Sequence, residues 1–283
     1  MILDCHTHIF PDPVRTNREA FCQKDEGFSL LYGNPKARMS GVRDLIASMD
    51  ETGVHQSVIC GFPWSHLGLC HLHNEYLFES ASRYSDRLIV FASILFSDPE
   101  GSGRELEWAL KSGARGVGEI GFYHQEMTLA EIHRMRPVLS FMERQGVPLL
   151  LHTNETLGHA YPGKGQTPLE RFYELIRLFP RLSVILAHWG GGLPFYELMP
   201  EVANVMANVY YDTAASPFIY SSKIYAVVTE IVGAGKILFG TDFPLLSPRR
   251  YFREIEQSGL PEEDRQRILG ENAAALLQLP SPV

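Results

Sequence analysis

The chain has 283 residues, 45% of them hydrophobic and 20% charged, with a formal charge of −8. That is the balance of an ordinary globular protein, at a length suited to one α/β barrel or two small domains. The negative charge argues against a broad nucleic-acid or anionic-membrane surface, and no apolar stretch approaches the roughly 20 residues of a membrane-spanning helix. A small anionic substrate held by a few local cations stays compatible with it.

In chain order, short apolar runs predict eight strands, at 2–5, 57–61, 88–93, 115–119, 148–152, 183–187, 208–212 and 236–240. Helical periodicity predicts helices at 41–53, 69–84, 102–112, 129–145, 168–179, 193–204 and 221–233, with two more at 249–258 and 262–278. Thr167 reads as an N-cap with Pro168 in the first helical position, and Gly113 and Gly146 fall where left-handed helix ends are wanted. Eight strands each followed by a helix predict a closed (β/α)8 TIM barrel, a single domain over 1–283. A doubly wound open sheet would gather its chemistry at one switch point. The stretch 10–39, rich in Pro, Asn, Arg and Glu, is expected to be an insertion in the first βα loop that covers the barrel mouth as a lid.

Several predicted strands end in a potential metal ligand. His6 and His8 close the first, Glu119 the fourth, His152 the fifth, His188 the sixth and Asp242 the eighth. Only a closed barrel brings those five ends together. Strand alternation predicts inward sets of Ile2, Asp4, His6 and His8, of Pro148, Leu150 and His152, of Val184, Leu186 and His188, and of Leu238, Gly240 and Asp242. Leu3 and Cys5 would then face the helices, and Asp4 would support a ligand from behind. Packing explains any one of these histidines; it does not explain the set. Glu119 has a simpler reading as a surface carboxylate or a partner of Arg115.

The pieces Asp4-Cys5-His6-Thr7-His8, Leu151-His152-Thr153, Ala187-His188-Trp189-Gly190 and Gly240-Thr241-Asp242-Phe243-Pro244 arrive in one order along the whole chain. With the closing Gly270-Glu271-Asn272-Ala273 they resemble the amidohydrolase superfamily, in its amidohydrolase-related (amidohydrolase-2) branch of metal-dependent TIM-barrel hydrolases. The resemblance implies a divalent metal held by His6, His8, His152 and Asp242. It implies that His188 binds a second metal or contacts the substrate and the reacting water. It also implies a bridging role for Glu119 if two metals are present.

An imidazole and carboxylate set without thiolate suits Zn²⁺ first and allows Mn²⁺, Fe²⁺ or Co²⁺. The expectation is therefore a metal-dependent hydrolase cleaving a C–N or C–O bond of a small molecule, with Asp242 and His188 as catalytic groups moving the proton of an activated water. The alternative is a non-oxidative decarboxylase on the same scaffold. That reaction needs a cation for the substrate carboxylate, and Arg15 and Lys164 are the candidates. Glu119 favours hydrolysis.

Substrate contacts are expected from Tyr123, Asn154, Glu155, His159, Lys164 and Trp189, with His124, Phe62 and Trp64 nearby in sequence. The second His-x-His, His71 and His73, falls in a helical pattern and reads as surface. Cys5, Cys22, Cys60 and Cys70 form no CxxC pair, and the chain starts directly in a strand with no basic, then apolar, leader. Both point to the cytoplasm; a homo-oligomer is compatible with the pattern.

Overall fold

The computed structural model describes residues 1–123 and 125–279. Eight strands run parallel in chain order: β1 (Leu3–His8), β2 (Gln56–Cys60), β3 (Leu88–Ala92), β4 (Gly116–Ile120), β5 (Leu149–Leu151), β6 (Val184–Leu186), β7 (Val209–Asp212) and β8 (Ile237–Leu238). The sheet closes on itself where Cys5 N–H donates to Phe239 O at 2.8 Å, and where Asp242 N–H and His8 N–H donate to His6 O and Phe243 O at 2.9 Å each. This is the expected barrel, with helices packed around it.

The barrel interior is a cluster drawn from many strands, including Leu3, Cys5, Val58, Cys60, Phe91, Leu150, Ile185, Ala187 and Leu238. Only inward side chains of a closed sheet can meet in this way. Ala273 and Leu277 join the cluster, and Gly270 packs against Met1 and Leu3, so the C-terminal segment stops the end of the barrel where β1 begins. The opposite end, where the strands finish, is left for the polar groups.

This cluster corrects the predicted alternation in two strands. Leu3 and Cys5 point into the barrel and Asp4 does not. In β1, Leu3 and Asp4 pair with Gln56 and Ser57, but Thr7 and His8 pair with Ile59 and Cys60, so β1 carries one extra residue. Such a bulge reverses which residues face inward beyond it, and His6 and His8 take the inner face. In β6, Ile185 and Ala187 are inside while Val184 and Leu186 pack outward. β4 repeats the device of β1, with Val117 opposite Leu149 but Ile120 opposite Leu151.

Residues 10–39 are not a bare loop. They form three short helices, Asp12–Thr16, Arg18–Cys22 and Glu26–Tyr32. Phe10, Phe21 and Phe28 pack with Phe62, Trp64 and Tyr123 into an aromatic roof. Asp25 accepts from Phe28 N–H at 2.8 Å and from both Ser65 N–H and Ser65 Oγ–H at 2.7 Å, which ties the roof to the loop after β2. Arg18 fastens its far arm by donating to Asn34 O at 2.7 Å and Ala37 O at 2.9 Å.

Two further expectations fail locally. The predicted helix 129–145 divides into Leu129–Arg134 and Arg136–Gln145, because Pro137 has no N–H to continue the ladder. Thr167 is not a cap: its Oγ1 accepts from Met127 N–H at 2.9 Å, and the helix starts at Leu169.

Candidate metal centre

Each ring of the histidine cluster has one nitrogen spoken for and one turned inward. His6 Nδ1 lies 2.7 Å from Asp212 Oδ2, His8 Nδ1 3.2 Å from Gly61 O, and His188 Nδ1 3.0 Å from Ala214 O. His152 is reversed, with Nε2 2.9 Å from Gly163 O. These partners only accept, so the outer nitrogens carry hydrogens and leave the inner ones facing the centre, where a cation would take their lone pairs.

The inner nitrogens face each other and Glu119. His6 Nε2 is 3.1 Å from His8 Nε2, and His188 Nε2 is 3.1 Å from His152 Nδ1. Glu119 Oε1 lies 3.0 Å from His152 Nδ1 and 3.6 Å from both His6 Nε2 and His188 Nε2, while Oε2 lies 3.5 Å from His8 Nε2. Asp242 Oδ1 is 3.5 Å from His8 Nε2. Nitrogens and carboxylates this close need positive charge among them, which ring protons or a metal ion can supply. The residues therefore fit a divalent metal, as two donor groups, His6–His8–Glu119 and Glu119–His152–His188, that share one carboxylate.

The electrostatics agree with this. Burial alone would raise the carboxyl of Glu119, but His6 and His152 outweigh it and hold it well below the usual range. Burial works to lower His6, yet Asp212 and Glu119 raise it well above an ordinary histidine. His188, also opposed by burial, is raised to about 9, chiefly by its hydrogen bond to Glu119. A buried, negatively charged pocket is drawing positive charge toward itself.

The backbone is bent to serve this end. His188, Trp189 and Asp242 have φ of 57°, 57° and 58°, in the left-handed region that costs a non-glycine residue about 1 kcal/mol or more. Asp212 Oδ1 fixes the first turn by accepting His188 N–H at 2.8 Å, and His6 O fixes the other by accepting Asp242 N–H. The glycines after Trp189 serve the turn and not a ligand: a Cβ on Gly191, at φ 61°, would fall on the Asn154 carbonyl.

A cavity of about 380 Å³ opens above the cluster, walled by Leu31, Tyr32, Phe62, Tyr123 and Phe218 and floored by His8, Glu119, His152, His188 and Asp242. Of the expected substrate residues, Tyr123 and His159 line it. Trp189 does not: it is fully buried, with Nε1–H donating to Ser216 Oγ at 2.8 Å. Asn154 braces the loop by accepting Gly165 N–H at 2.8 Å, and Glu155 accepts from Tyr161 Oη–H at 3.1 Å. Lys164 is held by Leu157 O at 2.7 Å and Glu155 Oε1 at 3.2 Å, and Arg15 pairs with Asp12 and Asp44 outside the cavity. Neither lines the cavity. Arg38 lines the cavity instead, the one lysine or arginine among the described residues that does. His124 lies outside the described residues.

Sequence reasoning missed Asp212, Tyr32 and Arg38. Asp212 ends an apolar run just as the candidate ligands do, and that same rule would have found it. Tyr32 and Arg38 reach the cavity from the roof, which carries no strand signal. His73, expected at the surface, is fully buried.

The model of the amidohydrolase family matches residues 3–279. Among curated proteins, the chain is 26% identical over 249 residues to a gamma-resorcylate decarboxylase of Polaromonas sp., covering 73% of this chain and 75% of that one. It is 25% identical over 252 residues to the enzyme of the same name from Rhizobium radiobacter, with the same coverage. Among solved structures, 5-carboxyvanillate decarboxylase from Sphingomonas paucimobilis superposes with a TM-score of 0.83 at 18% identity, over 99% of both chains. A dihydroxybenzoic acid decarboxylase from Polaromonas sp., with bound manganese and 2-nitroresorcinol, has a TM-score of 0.77 at 20% identity, over 98% of this chain and 96% of that one.

These relatives overturn the expectation of a hydrolase. Glu119 lies in the cluster, but its presence does not make the reaction hydrolytic, since the curated relatives are decarboxylases. With an eight-stranded parallel barrel and a match over nearly its whole length, the chain belongs to the amidohydrolase family, as an enzyme of that fold.

Proposed function

We propose that the protein is a non-oxidative decarboxylase of a small aromatic carboxylic acid, with manganese as its divalent cation. The observation that carries this reading is the cavity itself. Aromatic and aliphatic walls suit a planar ring, the floor holds the histidine and carboxylate cluster, and Arg38 is at hand for an anionic group. The names of the curated relatives support the same reaction class.

The reaction replaces a carboxylate by hydrogen on the same carbon: one proton is taken up, the C–C bond breaks and CO₂ leaves. The two donor groups, His6–His8–Glu119 and Glu119–His152–His188, would hold the cation, with Asp242 beside His8. When bound, the cation supplies positive charge that draws the anionic substrate to the cavity floor and orients it. Asp242 lies at the junction of floor and cavity with a partly exposed carboxyl, and it is the group placed to hold a proton near the reacting carbon. Phe62 and Tyr123, nearly parallel to each other at 5.9 Å, offer apolar wall for the ring, and the roof would exclude water.

The test is to load the protein with manganese and offer it 2,6-dihydroxybenzoate and 5-carboxyvanillate in D₂O. The expected result is release of CO₂ with one deuterium on the carbon that carried the carboxylate. No CO₂ from any aromatic acid, together with turnover of esters or amides, would overturn the reading.

A further inference from the structure

Asp212, fully buried beside His6 at the centre, has no part in the reaction proposed above. It ends β7, is 0% exposed, and accepts three hydrogen bonds with its two oxygens. Oδ2 takes His6 Nδ1–H at 2.7 Å, and Oδ1 takes His188 N–H at 2.8 Å and Ala214 N–H at 3.0 Å. One carboxylate thus grips a ring from one donor group and the backbone of a ring from the other.

We propose that Asp212 is a positioning residue that fixes the hydrogen of His6 on Nδ1, so that Nε2 is kept as a lone pair for the cation, while its other oxygen holds the left-handed turn that delivers His188. The inference rests on the reading of the cluster as a metal centre. Its physical basis is the difference between a carboxylate, which only accepts, and an amide, which has one accepting and one donating end. In Asp212→Asn the two backbone N–H groups cannot change their nature, so the amide oxygen must stay with them. The amide NH₂ then faces His6 Nδ1. That nitrogen becomes an acceptor, and the ring hydrogen moves to Nε2, in front of the metal-facing position. A nearly isosteric change would thereby disable a ligand it does not touch on its inner side, as happens when a buried Asp behind a catalytic His is replaced by Asn.

The test combines manganese titration with ¹⁵N-imidazole NMR of His6 on the metal-free protein at alkaline pH, where the ring is neutral. Wild type is expected to carry hydrogen on Nδ1, and Asp212→Asn to carry it on Nε2 alone, with about 10–100-fold weaker manganese binding, the loss typical of an outer partner of a ligand. In a His6→Ala background the same substitution should cause no further loss of affinity, because the path through His6 is gone. Unchanged affinity with Nδ1 still protonated in Asp212→Asn would overturn the proposal. So would a wild-type His6 with no hydrogen on Nδ1, a result that does not depend on the variant folding. Absence of manganese binding by wild type, with the His6 tautomer as expected, would instead sink the metal reading and leave the positioning role standing.

Discussion

His6 and His8 stand at the end of β1 with their outer nitrogens bonded and their inner nitrogens converging on Glu119, whereas His71 and His73 lie on the helix Leu67–Arg83. Residues two apart on a helix point in different directions. His71 is half-exposed and pairs with Glu105 at 3.0 Å, while His73 is fully buried. His73 Nε2–H donates to Ile9 O at 2.7 Å, and its Nδ1 accepts from Phe62 N–H at 3.2 Å and Trp64 Nε1–H at 3.1 Å. Every hydrogen-bonding site of that neutral ring is used. Burial lowers it to about 4, while the carboxylates around His188 raise that ring to about 9. A buried histidine is structural when both nitrogens are satisfied by the protein, and available when one is not.

Substitutions in the two regions should therefore fail in different ways. The largest effect is expected from Asp242→Asn, which keeps the shape of the site but removes the proton carrier. Turnover should fall by about 10²–10⁴-fold with little change in KM, provided manganese content, measured in parallel, is retained. An Asp242→Asn enzyme with its metal and near-full turnover would remove Asp242 from the chemistry.

His73→Ala should leave manganese binding intact and instead lower stability. It strands two buried N–H groups and a carbonyl and opens a cavity under the roof, a loss of about 2–4 kcal/mol by chemical denaturation. His8→Ala should show the reverse, with lost manganese and a smaller change in stability. If both variants lose metal equally, the contrast between the two pairs is wrong.

Acid provides a milder version of the same contrast. His73 titrates near 4 in the folded protein and near 6.5 when unfolded, so on acidification the unfolded chain takes up its proton first. Its contribution to stability is complete above about pH 6.5 and is lost as the pH falls toward about 4, by up to about 3 kcal/mol. Denaturation of wild type and His73→Gln across that range isolates the term, and parallel curves would show that His73 carries none of it. The smallest effect is expected from Arg38→Ala, a rise in KM of about tenfold with kcat nearly unchanged, as for loss of one charge-assisted hydrogen bond.

The barrel was legible because strand and helix periods alternate without interruption, and the cluster because His6, His8, Glu119, His152, His188 and Asp242 each terminate an apolar run. Which side chains face inward was not legible in β1 or β6. A bulge between Asp4 and Thr7, and a left-handed turn at His188, change the alternation without any residue that announces them. The cavity wall was hidden for a different reason: Tyr32 ends a short helix and Arg38 lies in the loop after it, and their placement depends on long-range ties through Asp25 and Arg18. Reaction class was misread at Glu119, since a carboxylate among histidines serves a cation in either chemistry.

The most direct test of the claim that one His-x-His pair holds a metal and the other does not is an anomalous difference map from crystals of the manganese-loaded protein. The account predicts density among His6, His8, Glu119, His152 and Asp242, and none beside His71 or His73. An empty cluster, or a manganese peak at His71 and Glu105, would contradict it.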